Sequence, residues 1–147
     1  NNWIPDIENI DASIKKEIEV VEFSRSLNLY IFNLLIKKYG QDLKNEQWIL
    51  EPYSNVLISL SILDTTIKRY IQSNESKKGR ILSVLRLSVA DQYTQIIENS
   101  TDILKELGES SDVLLKWKDE LDYHPERIRY KIKIYQDLDR YGKYYLD

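Results

Sequence analysis

The sequence predicts an all-α fold, an up-and-down bundle of about five helices, and three observations predict it. Gly and Pro are scarce, at four and three in 147 residues, which leaves too little punctuation for many short strands. The chain is 42% hydrophobic and 31% charged. Its apolar residues recur mainly at three- and four-residue steps, the spacing that places them on one side of a helix. A chain of this length buries roughly 68–70% of its unfolded surface around one core, so residues 11–147 read as a single domain preceded by a linker over residues 1–10.

The first helix is expected to start near Asp11-Ala12-Ser13, where short polar side chains accept the free amide hydrogens of a first turn and Glu17 follows close behind. Ile14, Ile18, Val21, Leu27, Ile31 and Leu34 form its buried stripe, and Lys37-Lys38 before Gly40 suits its carboxyl end. This long helix is expected to pack against most of the others. The second carries Leu50, Tyr53, Val56, Leu57, Leu60, Leu63, Ile67, Tyr70 and Ile71, an apolar arc wide enough to predict a central place in the bundle. Pro52 either opens that helix or lies, with a kink, within one that continues from an earlier turn at Asp42, and the kinked arrangement is favoured.

Residues 73–79, with Ser73-Asn74-Glu75-Ser76 and Gly79, read as a turn. Ile81, Leu85, Val89, Tyr93, Ile96 and Ile97 mark a third helix running towards Leu107 and Gly108. Ser110-Ser111-Asp112 caps a short fourth helix, Val113 to Leu121, and Pro125 opens the fifth segment. Over residues 127–134 polar and apolar side chains alternate with the period of a strand. A strand needs a partner for its backbone groups, and no second segment offers such alternation, so this segment is expected to be a helix that buries Ile128, Ile132, Tyr135 and Leu138.

Composition and motifs exclude several chemistries. Lys and Arg number 21 against 24 Asp and Glu, with no concentrated basic block to displace counterions from a nucleic acid. No stretch approaches the ~18 apolar residues of a membrane helix, and no charged-then-apolar leader is visible. Absence of Cys removes thiolate metal ligands and cysteine nucleophiles. His124 is the one histidine, and Leu121 stands where a di-metal Glu-x-x-His pair would need Glu. With a single imidazole, a catalytic triad would have to use this exposed-looking turn residue. Gly40, Gly79, Gly108 and Gly142 stand alone, so no glycine-rich loop cradles a phosphate. No catalytic, cofactor-binding or metal-ligating residue is assigned in this chain.

Other features read as surface. The carboxylates at Glu17, Glu19 and Glu22, and at Asp119, Glu120 and Asp122, are expected on solvated helix faces. Lys77, Lys78 and Arg80 form a small basic knot in a loop, and the glycosylation-like Asn74-Glu75-Ser76 and Asn99-Ser100-Thr101 are chance matches. Aromatic residues crowd the last third. Tyr and Trp combine large rigid area with a polar handle, so Trp117, Tyr130, Tyr141, Tyr144 and Tyr145 are candidate interface residues. The opening Asn1-Asn2-Trp3 lacks an initiator Met, and with Trp3-Ile4-Pro5 entering a helix it is read as a piece of a longer chain.

Lys38-Tyr39-Gly40 followed by Asn45-Glu46-Gln47-Trp48-Ile49-Leu50 resembles the appended carboxyl-terminal helical domain of very-long-chain-type acyl-CoA dehydrogenases of bacteria. That family has a basic, glycine-ended helix there and an Asn-Glu-Gln-aromatic-aliphatic opening to the next. The residues 56–70 helix, the turn over 73–79 and the Lys143-Tyr144-Tyr145 ending are also similar, whereas Pro52 departs from the family's uninterrupted helix. The resemblance runs from about Ser13 to the end and implies an accessory, cytoplasmic module that packs on its own dehydrogenase core or across a dimer. FAD, acyl-CoA and the catalytic glutamate belong to that core, so none of their residues carries over to this chain. The alternative is a free-standing helical protein-binding module of a regulatory or immunity type.

Overall fold

The computed structural model describes residues 12–142. A 3-10 turn, Ala12–Ile14, leads into α1 (Lys15–Tyr39), and a second, Gly40–Asn45, leads into α2 (Gln47–Gln72). There follow α3 (Glu75–Leu107), α4 (Asp112–Leu121) and α5 (Arg127–Tyr141), with no strand among the described residues. The all-α bundle of five helices is therefore as the sequence predicts. The expected linker over residues 1–10 lies outside the described residues.

Helix ends follow the local chemistry. Gly40 stops α1 at φ +55°, a backbone region costly for a residue with a Cβ, and its N–H still reaches the Ile36 carbonyl. The Asn74 side chain accepts from the Lys77 N–H at 3.2 Å and so caps α3. That moves the expected turn: only Ser73 and Asn74 lie between α2 and α3, and Gly79 with the Lys77, Lys78 and Arg80 knot belongs to the first turns of α3. At the other end Gly108 adopts φ +69° while the Glu109 N–H bonds the Leu104 carbonyl at 2.9 Å, closing the carboxyl end. Pro52 sits inside α2 as expected, but the helix does not continue from near Asp42: it begins at Gln47, after the separate 3-10 turn Gly40–Asn45.

The α1–α2 and α2–α3 pairs are antiparallel hairpins. Phe32 stacks on Tyr53, and Arg25 pairs with Asp64 at 2.6 Å further along the same seam. On the next seam the Asn55 side chain donates to Asn99 at 3.2 Å, while Tyr70 faces Ile81 and Leu85. Fully buried Leu27, Ile31 and Leu35 from α1, Val56, Leu63 and Ile67 from α2, and Val89, Ile96, Ile103 and Leu104 from α3 fill one continuous core.

Two expectations about burial change. The wide apolar arc of α2 is not enclosed, because Leu57, Ile58, Ile62 and Ile71 remain exposed. The central element is α3, which packs against α1, α2 and α5, while α1 meets α2, α3 and α4. The second change is larger. Helix α5 forms, but Ile128, Ile132, Tyr135 and Leu138 face outward, Ile128 being 75% exposed and Tyr135 74%. Its inward face carries Arg127, Tyr130, Ile134 and Asp137, of which Asp137 is the buried one. Both faces of this segment have apolar residues at helical spacing, and two contacts beside its start fix the rotation: Tyr123 packs edge-on against Tyr93 at 5.0 Å, and Arg127 meets Asp91 on α3. With Arg127 held inward, the helical period turns Tyr130 and Ile134 inward and Ile128 and Ile132 out.

Candidate functional site

Two kinds of surface could carry function: a polar trough near the start of α1, and the apolar faces left bare on α1, α2 and α5. The trough is lined by Ala12, Lys16, Glu17, Arg86, Tyr123 and Tyr130 among others. Glu17 is buried at its base, with the Arg86 Nε 3.6 Å from its carboxylate. Burial pushes the Glu17 carboxyl above its ordinary range, and the Arg86 charge partly offsets this. Arg86 also donates to the Ser13 carbonyl at 2.9 Å, and Lys16 donates to the Leu121 carbonyl at 2.9 Å. These bonds join α3 to the entry of α1, and α1 to the end of α4.

Tyr123 enters the trough wall because Asp122 takes a left-handed conformation, φ +51°, which ends α4 and swings the next side chain inward. Its ring is buried against Tyr93, and neither hydroxyl has a hydrogen-bond partner among the described residues. Burial, with smaller contributions from neighbouring Tyr130, Glu17 and Tyr93, pushes the Tyr123 hydroxyl well above the usual phenol range. A neutral phenol and a paired carboxylate supply neither a nucleophile nor a base in register with one. His124 and Asp122 stand on the exposed rim of the trough and pair with each other at 2.7 Å. Among the described residues no cluster of His, Cys, Asp and Glu could hold a metal ion. The chemistry of the trough is that of a latch between α1, α3 and α4.

A cavity between α2 and α3, lined by Thr66, Tyr70, Ile81 and Leu85, encloses about 160 Å³. Pockets for drug-sized ligands run to roughly 300–1,000 Å³.

The apolar faces are more informative. On α1, Leu29, Phe32 and Ile36 are exposed at successive turns of one side. Phe32 stacks on Tyr53 of α2, one turn before the exposed Leu57, so these residues form a seam along the outside of the hairpin, ended by the Arg25–Asp64 pair. Trp48, in the first turn of α2, is 87% exposed, and Ile58 and Ile62 extend the apolar surface onto another face of the same helix. The α5 stripe is separate and faces away from α3.

The residues expected at an interface are not gathered in one place. Trp117 is half-buried on α4, edge-on to Tyr30 at 5.7 Å, and contributes to the core margin. Tyr130 is half-buried on the α5 side of the trough. Tyr144, Tyr145 and the side chain of Tyr141 lie outside the described residues. The α1–α2 seam escaped the sequence reading, although Leu29, Phe32 and Ile36 already stood at helical spacing off the main stripe of α1. No helix of the described residues is long and apolar enough to cross a membrane. No protein-family model, curated protein or solved structure matches the chain.

Proposed function

We propose that this domain is the accessory carboxyl-terminal module of an FAD-dependent acyl-CoA dehydrogenase, structural in role and inactive alone. It packs through the α1–α2 seam on its own dehydrogenase core or across a dimer. The observation that carries this reading is the seam itself. Leu29, Phe32, Ile36 and Leu57 place large apolar side chains side by side in water, and contiguous apolar faces of this kind mark interaction surfaces. Supporting it, the Lys38-Tyr39-Gly40 and Asn45 to Leu50 motifs fall at the end of α1, the connecting turn and the opening of α2, the layout that the resemblance implies. FAD and acyl-CoA are held by the core in that family, and this chain's part is to cover and brace it.

The test is the size and colour of the native protein, enriched from its source with an antibody against this domain. A band several times larger than 17.5 kDa with flavin absorbance is expected. A colourless species near 17.5 kDa overturns the dehydrogenase reading and leaves a free-standing protein-binding module using the same seam. Within the larger protein, Leu29→Ser with Leu57→Ser is expected to weaken domain–core or dimer contact, read as dissociation on sizing, while the isolated domain stays folded.

A further inference from the structure

The α1–α2 seam is free of charge over a long stretch and contains its own complement. In a chain that is 31% charged, α1 has no charged residue over residues 26–36 and α2 has none over residues 52–63. The Arg25–Asp64 pair and the Phe32–Tyr53 stack set these stretches level with each other, so they form one band across both helices. Depletion of charge around exposed aromatic and aliphatic side chains is the compositional mark of an interface core.

The two helices contribute unlike halves of this band. On the seam side of α1, Glu22, Arg25, Leu29, Phe32 and Ile36 follow one another at alternating steps of three and four, with the bulky side chains inside the band. On α2, Ser54, Leu57, Ser61, Asp64 and Lys68 follow at the same steps, and the two serines leave a shallow notch on either side of Leu57. Rows of this spacing seat the side chains of one helix into the holes of another. Just beyond the band, Glu22 and Lys68 are both exposed, and neither forms an ion pair among the described residues.

We infer that the occupant of the seam is a second copy of this chain, related by a two-fold axis parallel to the hairpin. Such an axis keeps every residue at its own level and lays α1 of each copy antiparallel on α2 of the other. Leu29 of each copy then seats beside Ser61 of the other and Phe32 beside Ser54, while Glu22 meets Lys68 on both sides of the axis. Opposite charge at the margin of an apolar contact fixes its register. An axis across the hairpin fits less well, because it sets α1 on α1 and α2 on α2, bulky rows together and serines together, with Glu22 and Lys68 apart. The inference rests on the proposal that the seam is an interface, and it commits that interface to a self-pairing. Two helices a side make a small contact, so the pair is expected to come apart on dilution.

The test is sedentation of the full chain over a range of concentrations, with two charge reversals. The wild type is expected to rise from 17.5 kDa towards twice that mass as it is concentrated. Glu22→Lys sets two lysines together at each margin and Lys68→Glu two glutamates, so each variant alone is expected to associate about tenfold more weakly. Mixing the two variants restores opposite charge at both margins, and the mixture is expected to regain the wild-type association as a dimer with one chain of each kind, identified by native mass spectrometry. Both positions are exposed, and an unchanged melting profile of the dilute variants shows that the fold is kept. A wild type that stays at 17.5 kDa throughout overturns the inference, and so does a mixture that associates no better than its components. Either failure leaves the dehydrogenase reading standing, with the enzyme core as the seam's occupant. A colourless native protein sinks that reading without touching the pairing measured here.

Discussion

The Arg127 guanidinium lies 2.5 Å from the Asp91 carboxylate, and this pair sets which side of α5 meets the bundle. Both side chains are about two-fifths exposed, so the pair adds little global stability, about 0.2–1 kcal/mol. Its effect is on orientation. Asp91→Ala is expected to leave the melting of α1 to α3 nearly unchanged and to speed amide exchange in α5 several-fold, measured residue by residue. Exchange in α5 that is the same in Asp91→Ala as in the wild type would remove the clamp role.

Tyr123 is expected to be a site where less polarity is more stable. Its buried hydroxyl has no partner among the described residues, and removing such a group while keeping the ring typically recovers about 1 kcal/mol. Tyr123→Phe should raise the denaturation midpoint. The sign with pH follows from the raised hydroxyl: the neutral phenol is favoured in the fold, and that contribution is lost as pH climbs past the ordinary value of 10.0 towards the folded one. The variant should therefore lose less stability than the wild type in alkaline denaturation titrations.

For Glu17 the same logic applies at acid pH. Burial raises its carboxyl, so the protonated form is favoured in the fold, and the associated stability, present below the ordinary value of 4.5, fades as pH rises through the folded value. Glu17→Gln stays neutral throughout. Its stability relative to the wild type should improve from pH 4 to pH 7, as read by urea midpoints at the two pH values. The gain is limited by Arg86, which loses its carboxylate partner and keeps the Ser13 carbonyl. A difference that shrinks with rising pH would contradict the assignment.

Leu27 and Leu29 lie two residues apart on α1, with 0% and 61% of their surface exposed. Leu27→Ala opens a cavity in the core and should cost about 2–5 kcal/mol. Leu29→Ala, on the seam, should stay within about 0.5 kcal/mol in the isolated domain. Equal costs would mean that the seam is covered within the monomer.

The sequence by itself determined the helical class, the succession of five helices, the stop at Gly40, the position of Pro52 inside α2, and the buried stripe from Ile14 to Ile31. Those features depend on spacing and on local backbone preference, which are properties of neighbouring residues. The seam at Leu29, Phe32 and Ile36 was legible only as a second set of helical spacings, with nothing to show that no helix would cover it. Tertiary structure alone decided that α3 is central, that Glu17 meets Arg86 across a long stretch of chain, and that α5 turns Ile128 and Ile132 outward. A segment with apolar residues on two of its faces has no preferred rotation until something outside it supplies one. Here Tyr93 and Asp91 on α3, 30 and 36 residues earlier, hold Tyr123 and Arg127 and fix the phase of everything that follows.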